Sequence, residues 1–149
     1  MHKYAIKYKI TFYSIILLII SIFFLTSCSN VKSTKSFEEG KRLLDQKKYI
    51  EAIKSFEKSL KLNPKNHQAV EAIGLCYGDL KDYNKAVEYF EKAVQMKPKN
   101  KLYLFNLAVT YLQIGEYSKA KEVYQKILYI DKNNRTAKEA LEKLRKNGY

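Results

Sequence analysis

Few side chains in this 149-residue sequence could do covalent or acid–base chemistry, and they stand apart from one another. The thiols are Cys28 and Cys76, and the imidazoles are His2 and His67. Past the N-terminal segment only His67 remains, at the mouth of a predicted helix, so any Ser-His-Asp or Cys-His arrangement would have to be built on it. Cys76 lies on the same predicted helix beside Leu75 and Tyr77 and points elsewhere, which reads as a buried, inert thiol. No cluster of His, Cys and carboxylate has metal-ligand spacing, and the five glycines form no phosphate-cradling loop. Glu38, Glu39, Glu88 and Glu91 are interleaved with lysines, as solvated pairs on helix faces are. Nucleophile, base and orienter never converge, so the sequence predicts no enzyme, no metal and no bound cofactor.

The remaining reactive position is Cys28. Met1 to Lys9 carries three lysines and no acid, and Ile10 to Leu25 is almost wholly apolar. That is the charged and then apolar order of an export signal, and the stretch is short beside the ~20 residues a membrane span needs. Leu25-Thr26-Ser27-Cys28 follows, with polar Ser29-Asn30 after it. This junction resembles the lipobox of bacterial lipoproteins. The resemblance implies a signal peptide over 1–27, removed by cleavage, and a diacylglyceryl or other acyl lipid on Cys28. An uncleaved signal anchor is the alternative, and both place the rest of the chain outside the cytoplasm at a cell membrane or outer membrane. Residues 28–36, rich in Ser and Lys, read as a flexible lipidated linker, of which the stretch from Ser29 to Ser36 reaches at most about 28 Å.

The elements behind these residues are set by a repeat of 34. Asn63-Pro64-Lys65-Asn66 returns as Lys97-Pro98-Lys99-Asn100, and more faintly as Asp131-Lys132-Asn133-Asn134. Tyr49, Tyr83 and Tyr117 keep the interval, as do Ala52, Ala86 and Ala120, then Phe56, Phe90 and Tyr124, then Gly40, Gly74 and Ala108. A fixed period of this length signals supersecondary units that bury their apolar faces on one another. Units fall at about 33–66, 67–100 and 101–134, each with two helix-period stripes and a short polar turn. Gly74 and Ala108 should sit where two helices approach closely, facing Ala86 and Ala120; Tyr77 and Tyr111 should act as wedges towards the next unit. Pro64 and Pro98 stop a helix, and Gly115 suits a left-handed cap. Ala137, Ala140, Leu141 and Leu144 give one more amphipathic helix within 135–149, the cap an open stack requires.

Small residue, Tyr, Ala, Phe or Tyr, then Pro at these offsets resemble the tetratricopeptide repeat family over about Phe37 to Asn134. The resemblance implies an all-α, right-handed solenoid of helical hairpins, three repeats and a C-terminal capping helix. In the family the first helix of each unit lines a groove. The corresponding positions here are Phe37, Lys41 and Leu44, then Gln68, Glu71, Leu75 and Asp79, then Leu102, Phe105, Asn106, Val109 and Leu112. One variety grips a C-terminal carboxylate with Lys and Asn; Phe37, Leu75 and Leu102 stand at those places, so that clamp is not implied. Leu102, Phe105, Val109 and Leu112 form an apolar stripe suited to an amphipathic or extended apolar segment, or to packing against the chain itself.

Net charge is +13, of which Lys3, Lys7 and Lys9 supply three. A basic surface attracts nucleic acid, anionic lipid or acidic partners, but the lysines here alternate with Glu and follow a Lys-, Asn-, Ile- and Tyr-rich composition. Nucleic acid is therefore not an expected partner. The expected role is a non-enzymatic adaptor that holds an envelope protein, with self-association left open. The alternative is a structural envelope factor binding anionic lipid, glycan or peptidoglycan.

Overall fold

A computed structural model describes residues 30–149. The expected export signal and Cys28 lie outside them. Among the described residues every regular element is a helix: α1 (30–45), α2 (Tyr49–Leu62), α3 (His67–Asp79), α4 (Tyr83–Met96), α5 (Lys101–Gln113), α6 (Tyr117–Ile130) and α7 (Arg135–Lys146). From α2 onward each helix packs mainly on the one before and the one after it in sequence, so the chain forms a stack of hairpins rather than a ball. None of the described helices is long and apolar enough to cross a membrane.

The turns show why the period is so regular. Asn66, Asn100 and Asn134 cap α3, α5 and α7, each accepting from backbone N–H groups of the first turn. Such a cap typically contributes about 1 kcal/mol. Within each hairpin the first helix ends on a left-handed residue: Lys47 (φ 59°), Lys81 (φ 62°) and Gly115 (φ 77°). The N–H of the following residue closes the turn onto the first helix: Lys48 on the Leu43 carbonyl, Asp82 on Tyr77 and Glu116 on Tyr111, each at 2.9 Å. The third turn, which lacks the proline, keeps the side-chain bond of the first: the Asp131 carboxylate accepts from the Asn133 N–H at 3.2 Å, as Asn63 does from Lys65 at 3.1 Å, and also from Lys101 Nζ at 2.6 Å.

The core runs along the stack in two linked clusters. Leu43, Ile53, Phe56, Ala69, Ile73 and Cys76 form one. Val70, Phe90, Leu104, Leu107, Tyr111, Tyr124, Ala137 and Leu144 belong to the other, while Leu60, Tyr77 and Tyr89 pack against both. The close approach within a hairpin differs in detail from expectation. A Cβ on Gly74 would lie 2.8 Å from the Phe90 ring, and one on Gly40 2.6 Å from that of Phe56. The small residue thus makes room for an aromatic side chain rather than for a facing alanine. Ala140 and Leu141 of α7 are half-buried against the end of the stack beside buried Ala137 and Leu144.

One expectation is corrected. Residues 30–36, read as a leash, are helical and belong to α1. Ser33 and Ser36 are buried, and the Ser33 hydroxyl donates to the Ser59 carbonyl at 3.0 Å and lies 2.9 Å from its hydroxyl. Small serines at helical spacing ahead of Gly40 let α1 lie close to α2. The Ser33 hydroxyl finds its partners there, so a segment without large apolar residues is still packed.

Candidate functional site

The sequence placed the candidate groove on the first helix of each hairpin, and the structure brings part of that set together. An open cavity of about 270 Å³ lies between α3 and α5. Leu75 and Asp79 line it from α3, and Phe105, Asn106 and Val109 from α5. Leu75 is 36 % exposed, so its side chain is available to a ligand. Glu71, one turn before Leu75, accepts a hydrogen bond from Asn106 Nδ2 at 3.0 Å, which ties the two walls together. Burial pushes the Glu71 carboxyl above its ordinary range, and the Asn106 hydrogen bond partly opposes that.

Other candidates fall elsewhere. Phe37 packs inward, its ring 5.5 Å from that of Phe56, and half-buried Leu44 joins the same cluster. Lys41 holds Glu38 at 3.1 Å and lies over the Phe37 ring. Gln68 is exposed, and Leu102, 57 % exposed, stands outside the cavity at the start of α5. Leu112 packs on the core. It lies one turn from Ala108 and beside Tyr111, both buried, so it sits on the border of the stripe nearest the core. The apolar stripe of the third unit is therefore divided: Val109 lines the groove, Phe105 lines it while packing on the core beside Tyr124, and Leu112 packs on the core outside the cavity.

The floor was not anticipated. Tyr83 and Phe90 reach the cavity from α4, and Gly78, Thr110 and Gln113 complete its lining. Nothing lies within 4 Å of a Cβ built on Gly78, so this glycine leaves the cavity mouth clear. Its signal in the sequence was faint, since it breaks no helix and Leu44 and Leu112 stand at its place in the other two units. His67 follows the Asn66 cap and links two hairpins: its Nδ1 lies 2.7 Å from the Tyr103 hydroxyl of the next one. Burial first, then Lys97, holds this imidazole below its usual range. Tyr111 donates to Glu91, and burial with that carboxylate raises its phenol. Cys76 is fully buried and its thiol is pushed up to about 11, leaving it un-ionised at neutral pH. Among the described residues no group of His, Cys, Asp and Glu is placed to hold a metal ion.

Stacked helical hairpins with capped ends and a lined groove define a repeat solenoid, an architecture built to present a binding surface. Comparison with known proteins places it more closely. Residues 79–144 match the family model described as Tetratricopeptide repeat, and residues 41–102 match that described as Regulator of microtubule dynamics protein 1-3. No curated protein matches the whole sequence closely enough to count as a relative. Among solved structures, the chain is similar to the first tetratricopeptide domain of Spaghetti (RPAP3) bound to HSP90 peptide SRMEEVD, with TM-score 0.72 and 23 % identity over 79 % of this chain and 94 % of that one. It is also similar to the Arabidopsis OM64 domain (TM-score 0.71, 22 % identity, 80 % and 98 % covered). The Sgt2 domain from Aspergillus fumigatus is a third (TM-score 0.67, 26 % identity, 77 % and 78 % covered). The fold is thus a tetratricopeptide-type solenoid of helical hairpins.

Proposed function

We propose that the chain is a non-enzymatic adaptor, lipid-anchored through Cys28 in a bacterial cell envelope, whose α3–α5 groove holds a segment of a partner protein. The observation that carries this reading is the cavity itself. Leu75, Phe105 and Val109 present apolar surface around Asp79 and Asn106, in an open site large enough for side chains. One similar structure is bound to a peptide, which supports a peptide as the kind of ligand. The clamp positions Phe37, Leu75 and Leu102 are apolar, so a partner gripped by its terminal carboxylate is not favoured.

Val109→Glu tests the groove better than a change at Leu112, which would disturb the core. It should abolish capture of the partner while the helical signal is unchanged, and a Lys92→Glu control on exposed α4 surface should capture normally. Capture that survives Val109→Glu would overturn the reading. For the anchor, Cys28→Ser should release the chain from the membrane fraction or stall its processing. Unchanged partition and gel migration would favour an uncleaved span. Lipid attachment contributes ~0.8 kcal/mol per buried methylene, so two chains suffice for lasting attachment.

A second reading has one observation in its favour. Lys32, Lys35 and Lys58 outnumber the one acid, Glu39, which Arg42 pairs, in the lining of a cavity between α1 and α2, at the end of the chain nearest Cys28. That face suits anionic lipid or glycan. Binding through it should weaken steeply as salt rises, whereas groove binding should change much less.

A further inference from the structure

The groove runs against the charge of the chain that carries it. Net charge is +13 overall, yet the one charged side chain lining the cavity is Asp79, and Glu71 accepts from Asn106, which also lines it. Glu71, Leu75 and Asp79 follow one another at one-turn intervals on α3, so two acids flank an apolar contact on one stripe. Among the described residues neither acid has an ion-pair partner, although most of the molecule's other ion pairs join neighbours along a helix. The backbone adds to this. The cavity lies at the C-terminal ends of α3 and α5, the negative ends of their dipoles, and neither helix has a basic residue in its last turn. Two acids and two negative helix ends thus surround an apolar seat.

We propose that the groove takes a basic amphipathic segment, in which an apolar side chain seats against Leu75, Phe105 and Val109 and a lysine or arginine meets Asp79 or Glu71. This rests on the groove being the binding face and adds the chemistry of its ligand. An incoming cation would keep half-buried Glu71 ionised, replacing hydration the carboxylate has partly lost. Placed in so positive a chain, the site also discriminates. The field of the whole molecule draws acidic peptides, so a preference for basic ones can come only from the groove itself.

The test uses the full chain in detergent micelles to select from a phage-displayed library of random peptides. A selected sequence is then synthesised beside a version with each Lys and Arg replaced by Glu. Selected peptides should combine an apolar residue with Lys or Arg, and the reversed version should bind at least about tenfold more weakly, as expected for loss of a charge-assisted contact. Asp79→Asn with Glu71→Gln should remove most of that difference. Asp79→Asn alone, at an exposed site, repeats the test should the Glu71 change disturb packing. Acidic or uncharged consensus peptides, or equal binding of the matched pair, overturn the proposal while leaving the groove reading intact. Recovery of no peptide whose binding is removed by Val109→Lys, which fills the seat and repels a cation, overturns both.

Discussion

Single residues decide how closely the hairpins pack and how they respond to acid. Gly74 and Gly78 stand on the same helix with opposite demands. A methyl on Gly74 would press on the buried Phe90 ring, so Gly74→Ala should destabilise by about 1–3 kcal/mol in urea unfolding. Gly78 faces open space, so Gly78→Ala should stabilise by about 0.5–1 kcal/mol through helix propensity. Equal effects at the two sites would contradict the packing described. His67 carries the pH response. Its imidazole is held below the ordinary value of 6.5, so the unfolded chain binds its proton first as pH falls. Stability from this site is complete above pH 6.5 and declines below it, through the lower folded value. The raised carboxyl of Glu71 acts in the other sense, gaining stability as pH falls through its folded value towards 4.5. His67→Gln should therefore flatten the fall in melting temperature just below pH 6.5, and an unchanged profile would assign that fall to other groups.

Elements repeat because their ends repeat. Lys47, Lys81 and Gly115 occupy one left-handed turn position at the 34-residue interval, but only the third is the residue that turn favours. Lys81→Gly should stabilise the chain by about 1 kcal/mol, and Gly115→Ala should destabilise it by a similar amount, both readable in the same unfolding assay. Much of this scale was legible in the sequence. Pro64, Pro98, the three capping asparagines and the recurrent Tyr, Ala and Phe announced helices, turns and their order. The left-handed lysines were not legible, since nothing in a lysine marks a positive φ. Nor was the start of α1, because small polar Ser33 and Ser36 resemble a linker until Ser59 is known to lie opposite. The groove was legible on its α3 and α5 walls. It was obscured at Phe37 and Leu112, where an apolar residue on the edge of a helical stripe can turn either to the interior or to solvent. Tyr83 and Phe90 were missed because residues of the second helix were assigned wholly to the core.

At the scale of the molecule, the helices form a short stack whose chemistry lies in what it presents. Among the described residues the thiol of Cys76 is buried, His67 is tied to Tyr103, and the ion pairs are mostly between neighbours on exposed helix faces, each worth little. What stands out is an apolar, locally acidic groove on a basic chain. Site-specific photo-crosslinking in intact cells tests that claim most directly, with the photoreactive side chain placed at Val109 in one strain and at exposed Lys92 in another. If the groove is the binding face, the probe at 109 should join the chain to a discrete protein partner, and the one at 92 should not. Equal crosslinking from both positions, or none from 109 while 92 gives a discrete product, would contradict it.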